Sequence, residues 1–150
     1  MSILKSNLHR LCLDMVEQRL ETGRQALKSA EDGAEQETKS SAGDKYETGR
    51  EMMQQEKNRA MAQLNEANKL LVALQGISTN GETAKVQAGS VIDTDKGNFY
   101  LSISAGVIKY EGREYFAVSP ASPIGAKLMG KQKDDSFDMN GKHYQIINVI

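Results

Sequence analysis

Asp44 and Glu47 are the residues of this chain whose type and spacing most directly allow chemistry. Two side chains three positions apart on a helix lie on one side of it, with Cβ atoms roughly 5–6 Å apart. Carboxylate oxygens suit Mg²⁺, which keeps several waters and is commonly held by one or two carboxylates beside phosphates. A pair of such ions stabilises both the attacking and the leaving oxygen of a phosphoryl displacement. At about 5 Å two carboxylates repel each other by about 0.8 kcal/mol in water, and by about 3 kcal/mol at an effective dielectric near 20. A solvated pair therefore tolerates both charges, and a cation relieves them in a confined site. Two carboxylates alone are a poor cage, so no tightly bound metal or other cofactor is expected in the isolated chain. The same residues also read as helix capping: Gly43 can end or bend one helix, Asp44 can cap the next, and Glu47 takes the third position of a capping box. Between residues 31 and 51 acids outnumber bases by seven to three, which makes the segment acidic and equally suits a solvated surface.

A second chemical possibility is acyl transfer by Cys12 with His9 or His143 as base. Such a nucleophile needs a positioned base and an oxyanion site within a pocket. Cys12 lies in a helix-forming segment and His9 is an ordinary helical neighbour, so Cys12 reads as a buried structural thiol. A single cysteine forms no internal disulfide, and a reducing cytoplasm is the simplest compartment. The formal charge of −1 argues against broad adhesion to naked nucleic acid, though not against a protein partner that holds nucleic acid. No apolar run is long enough to span a bilayer, so no membrane partner is expected. The first residues lack a basic stretch leading into an apolar core, so no signal peptide is expected.

The elements that must position Asp44 and Glu47 follow from an uneven composition. Residues 1–75 lack proline and are rich in Glu, Gln, Lys, Ala, Leu and Met, all good helix formers. Leu4, Leu8, Leu11 and Met15 recur at four- and three-residue steps, and Leu20 and Leu27 continue that side. Met53, Ala60, Leu64, Ala67, Leu71 and Leu74 repeat the rhythm, interrupted by Lys57. These are seams for a helix partner, and the short polar connection between them favours an antiparallel hairpin. A helix of about 30 residues is about 45 Å long. The expectation is an α+β chain: a helical coiled-coil hairpin over 1–75 with an acidic tip near 43–51, a linker over 76–81, and a strand-rich domain over 82–150. In the last part Phe99, Leu101 and Ile103 alternate with Tyr100, Ser102 and Ser104, the period of a half-buried strand. Val86 to Ile92 and Tyr115 to Val118 read as further strands, and Tyr110 and Tyr115 read as sheet residues rather than stacking platforms. Asn140-Gly141 signals a two-residue hairpin. Ser122 and Pro123 suit the cap and first residue of a short helix that Gly130 ends.

Two stretches together resemble bacterial transcript-cleavage factors of the Gre family. One is Gly43-Asp44-Lys45-Tyr46-Glu47, similar to the Gly-Asp-x-x-Glu-Asn-Ala-Glu-Tyr sequence at the family's coiled-coil tip. The other runs from Ser122-Pro123-Ile124-Gly125-Ala126-Lys127-Leu128-Met129-Gly130-Lys131 to Phe137, and looks like the pattern Ser-Pro-Ile-Ala-x-x-Leu-Leu-Gly-Lys-x-x-Gly-Asp-x-Val. Order, spacing and length agree over nearly the whole chain. The resemblance implies a small antiparallel FKBP-like sheet domain that docks on the rim of RNA polymerase, and a coiled coil that enters its secondary channel. It implies that Asp44 and Glu47 help hold the second catalytic Mg²⁺, shared with the polymerase, and orient water for cleavage of backtracked RNA. The chain would then be an auxiliary cytoplasmic factor and not itself an enzyme, reaching RNA and DNA only through the elongation complex. By position in the motif, Ser119, Ser122, Pro123, Ile124, Lys127, Lys131 and Asp135 are candidates for the docking contact; Ser122, Pro123 and Gly130 equally shape the turn and helix ends, and Asp135 a turn. The tip departs from the pattern: Thr48-Gly49-Arg50-Glu51 replaces Asn-Ala-Glu-Tyr, and Tyr46 precedes Glu47. Gly49 loosens the helix start by about 1 kcal/mol relative to Ala. A factor that occupies the channel without stimulating cleavage, or inhibits the enzyme, fits these departures. A prolyl isomerase, by fold analogy alone, and a coiled-coil adaptor are the remaining readings.

Overall fold

The computed structural model describes residues 3–39 and 43–150, with side chains over 3–33 and 49–150. The fold is α+β: a pair of long helices, then a six-stranded mixed sheet with one short helix. Helices α1 (Ile3–Lys39) and α2 (Gly43–Gln75) take up the helix-forming half. By contact the chain falls into two compact units, one of residues up to Met15 together with Val72–Ile150, the other Val16–Leu71. This division cuts through the helices; α2 ends at Gln75 and the first strand starts at Val91.

Within Val16–Leu71 the two helices run antiparallel. Gly23 faces Leu64, Gly33 faces Met53, and Lys57 Nζ stands 3.9 Å from Glu31 Oε1, so residue numbers rise along one helix as they fall along the other. The expected seam residues Leu20, Ala60 and Ala67 are buried, and Leu27, Met53 and Leu64 are half-buried. Lys57 sits half-buried in the seam, its charge answered by Glu31. The seam also holds Gly23 and Ala30, seven residues apart like Ala60 and Ala67. Small side chains at this spacing let the helices approach closely: a Cβ at Gly23 would stand 3.0 Å from the Leu64 side chain. Gly23→Leu is expected to destabilise the helix pair by about 1–3 kcal/mol through overpacking, visible as earlier loss of far-UV helix signal on heating.

The sheet comprises β1 (Val91–Thr94), β2 (Gly97–Leu101), β3 (Gly106–Tyr110), β4 (Arg113–Val118), β5 (Ser136–Met139) and β6 (Lys142–Val149), in the order β3-β4-β2-β1-β6-β5. It is mixed, which corrects the expectation of an antiparallel sheet: β4 pairs with β2 in parallel, Phe116 beside Phe99. The cause is the β3–β4 hairpin, which turns the chain back so that β4 lies beside β2 and runs with it. The turn Glu111-Gly112 has φ 49° and 77°, the two positive values a tight hairpin needs. Asn140 and Gly141, with φ 52° and 76°, form the expected β5–β6 turn in the same way.

Two strand expectations change. The segment Val86 to Ile92 is not one strand, because Gly89 turns the chain at φ 97° and only residues from Val91 onward pair in the sheet. Val86 instead exchanges backbone hydrogen bonds with the end of the α3 region, donating to Lys131 O at 2.7 Å and accepting from Gly130 N at 3.0 Å. Strand β2 is covered on both faces. Phe99 and Leu101 join Val86, Ile92, Leu128, Phe137 and Ile146 in one core, roofed by α3 (Pro123–Leu128). Tyr100 and Ser102, expected on a solvent face, are buried too. The first turns of α1 cover them, with His9 Nδ1 at 3.5 Å from the Tyr100 hydroxyl and Asn7 donating to the Tyr110 hydroxyl at 2.8 Å. The 76–81 connection is tied down as well: Lys5 Nζ donates to Gly81 O at 2.9 Å. Burial lowers the Lys5 pKa, and Glu82 opposes that shift.

Candidate functional site

The acidic tip is placed by its backbone alone. α2 starts at Gly43, so Asp44 lies inside its first turn and not at the expected cap position, and Glu47 follows one turn on. The side chains of both residues, and any shared metal between them, lie outside the described residues. Arg50 and Glu51 follow on the same helix and are exposed. Among the described residues no three His, Cys, Asp or Glu side chains are grouped as metal ligands.

The second candidate region is built by the turn before α3 and by its two ends. Ser122 has extended backbone (φ −70°, ψ 157°) and caps the helix: its hydroxyl accepts from Gly125 N at 3.1 Å and donates to Ser119 O at 2.6 Å. Pro123 takes the first turn, where a missing N–H costs no hydrogen bond. Thus Ser119 and Ser122 bind each other, and their polar groups shape the turn. Ile124 packs against the core beside Leu128, which anchors the helix to the sheet. Gly130, at φ 77°, ends it. Asp135 is engaged in a turn, its Oδ2 accepting from Gln132 N at 2.9 Å. Of the predicted docking residues, Pro123 and Lys127 are exposed, and Lys131 is half-exposed. Met129, which sequence reasoning passed over, joins them as an exposed apolar side chain at 43%. Its signal was there, since a helix anchored by Ile124 and Leu128 turns residue 129 outward.

Gly125 is where the resemblance meets a local constraint. The family pattern has alanine at this position, yet a Cβ on Gly125 would overlap the Ser119 carbonyl oxygen. The overlap is with backbone, which cannot rotate away. Gly125→Ala is therefore expected to push the Ser119–Ser122 turn from α3 and to cost about 1–3 kcal/mol, measured as a lower denaturant midpoint. Stability equal to the parent chain would contradict this placement of the turn.

The cysteine is inert by its surroundings. Cys12 is fully buried, and burial pushes its thiol up to about 11, a shift that Ser102 offsets only in part. The Ser102 hydroxyl is itself buried without a well-formed hydrogen bond. Burial also lowers the pKa of His9. His143, the other base considered, is paired with Asp138 across the β5–β6 hairpin at 2.6 Å. At pH 8 a thiol of pKa 11 is about one part in a thousand thiolate. Cys12 is expected to resist alkylation in the folded chain and to react fully once denatured, as read by intact-mass spectrometry. Rapid labelling of the native chain would overturn this description.

Comparison of the chain with family models, with curated proteins and with solved structures finds no match.

Proposed function

We propose that this chain is an RNA polymerase-binding elongation factor of Gre type, whose helix pair enters the secondary channel and presents Asp44 and Glu47 to the second catalytic Mg²⁺. The observation that carries this reading is the joint placement of the two motifs. Asp44 and Glu47 fall at the start of α2, next to the connection between two antiparallel helices. The Ser122-Pro123 motif forms a capped helix start on a separate sheet unit. A connection between paired helices is where carboxylates can reach into a confined site, and a rigid sheet unit is where a docking surface can be held. In this reading the helix pair is an antiparallel coiled coil, the sheet unit is FKBP-like, and Pro123, Lys127 and Lys131 face the polymerase. Ser119, Ser122, Ile124 and Asp135 hold that surface in shape.

The chemistry assigned to the tip is auxiliary. The polymerase holds one Mg²⁺ and the RNA, and Asp44 and Glu47 supply oxygen ligands for the second ion and orient the attacking water. The chain is then no enzyme by itself, and it acts in the cytoplasm where the polymerase is. The test uses the cognate polymerase in a backtracked complex with Mg²⁺. Binding together with faster shortening of the RNA supports the proposal. Binding without shortening leaves a channel-occupying regulator, the reading favoured by Gly49 and Arg50. Failure to bind removes both and leaves a helical adaptor.

A further inference from the structure

The sheet ends on one side at β3, which pairs with β4 alone. The backbone of β4 shows which groups of β3 are used. Ala117 O accepts from Ala105 N, and Val118 O accepts from Ser102 N on the β2 side. Arg113, Tyr115 and Ala117 therefore aim their backbone at β3, where their register partners are Tyr110, Ile108 and Gly106. The N–H and C=O groups of Val107 and Lys109 then point away from the sheet, since these directions alternate along a strand. Among the described residues none of these four groups has a hydrogen-bond partner. Open edges are usually blunted by proline, a bulge or a charge. β3 has no proline and an unbroken register, and its one charge, Lys109, stands 4.0 Å from Glu114 of its own chain. Val107 and Phe116 lie side by side on one face of this edge, 47% and 38% exposed.

We propose that two copies of this chain pair through β3, antiparallel about a two-fold axis at Ile108, so that their sheets become continuous. Val107 of each copy then faces Lys109 of the other. Two residues that face each other in this way exchange both backbone bonds, so the register satisfies all four outward groups of each chain. An axis at Lys109 would set the two lysines directly against each other, which is unfavourable. An axis at Val107 would set Lys109 against Ala105, outside the strand. In the proposed register the aliphatic stem of Lys109 lies across the exposed Val107 and Phe116 of the second copy, with its charge left in water. The net charge of −1 per chain opposes association little. Two short strands bury less than the roughly 1,200–2,000 Å² of stable interfaces, so the dimer is weak and depends on concentration. The surface lies wholly within the sheet unit and does not rest on the polymerase reading.

The test is sedimentation equilibrium of the full chain at concentrations up to about 1 mM, the range suited to a weak interface. The mean mass of the parent chain is expected to rise with concentration towards twice the 16.5 kDa of one copy. Two variants at position 107 then read the register. Val107→Lys sets a lysine opposite Lys109 in both facing pairs, and Val107→Glu sets a carboxylate there. Val107→Glu should dimerise at least about tenfold more tightly than Val107→Lys, because two facing pairs change sign together. The position is exposed, so both variants are expected to fold. A parent chain that stays at the mass of one copy throughout, or equal association of the two variants, overturns the proposal.

Discussion

Tyr100→Ala is expected to destabilise the sheet unit by about 3–5 kcal/mol, the range for removing a large buried ring. Tyr100 is the largest of the fully buried side chains. It stands on the face of β2 opposite Phe99 and Leu101, level with Val91 on one side and Ala117 on the other. Its ring therefore fills the layer between the sheet and the first turns of α1, and its loss leaves a cavity bounded by both. The hydroxyl is a smaller matter: its contact with His9 is long, at 3.5 Å. Burial pushes the phenol pKa up, and the Ser102 hydroxyl opposes that shift only weakly. Tyr100→Phe should accordingly cost about 1 kcal/mol. Chemical denaturation of the three chains separates ring from hydroxyl. A small effect of the alanine variant would mean that the α1 base does not pack on this face.

Asp44→Asn with Glu47→Gln carries the largest functional effect. Both substitutions keep size and helix compatibility while removing two negative charges. An amide oxygen is a much weaker ligand for Mg²⁺ than a carboxylate, which matches the hard cation in charge. On the proposed mechanism the variant keeps its polymerase affinity, because the docking residues are untouched. Stimulated cleavage should fall by at least about a hundredfold, the scale for losing a group that stabilises developing charge. Stability should change by no more than about 1 kcal/mol, the scale of a charge near a helix N-terminus. Should the pair serve only as helix-start residues, the pattern reverses: stability drops with no specific loss of cleavage.

The helices were legible because Leu and Met mark a 3.6-residue period, and their extent follows from composition. What escaped was the role of residues too small to register as apolar. Gly23 and Ala30 sit in the seam because close helix approach needs little side chain there. Lys5 was equally invisible, since a buried lysine reads as polar until its carbonyl partner Gly81, seventy-six residues on, is known. In the second half, local turn chemistry read true. Asn140-Gly141 and Ser122-Pro123 act through their immediate neighbours, so no tertiary knowledge was needed. The Glu111-Gly112 hairpin was missed because glutamate rarely takes positive φ, and with it went β3 and the parallel pairing of β4. The second covered face of β2 was missed because it depends on α1, about ninety residues earlier in the chain. For the candidate site, the motif placed the α3 turn but not the division of labour within it. Asp135 and Ser119 are held by hydrogen bonds inside the turn, while Lys127 and Met129 face outward.

The most direct measurement is the rate of RNA shortening in a backtracked elongation complex of the cognate polymerase with Mg²⁺, comparing the parent chain with Asp44→Asn/Glu47→Gln at concentrations that saturate binding for both. The account predicts accelerated cleavage with the parent chain and a rate with the variant no faster than the polymerase alone. Equal acceleration by both chains, or none by the parent chain despite bound polymerase, would contradict it.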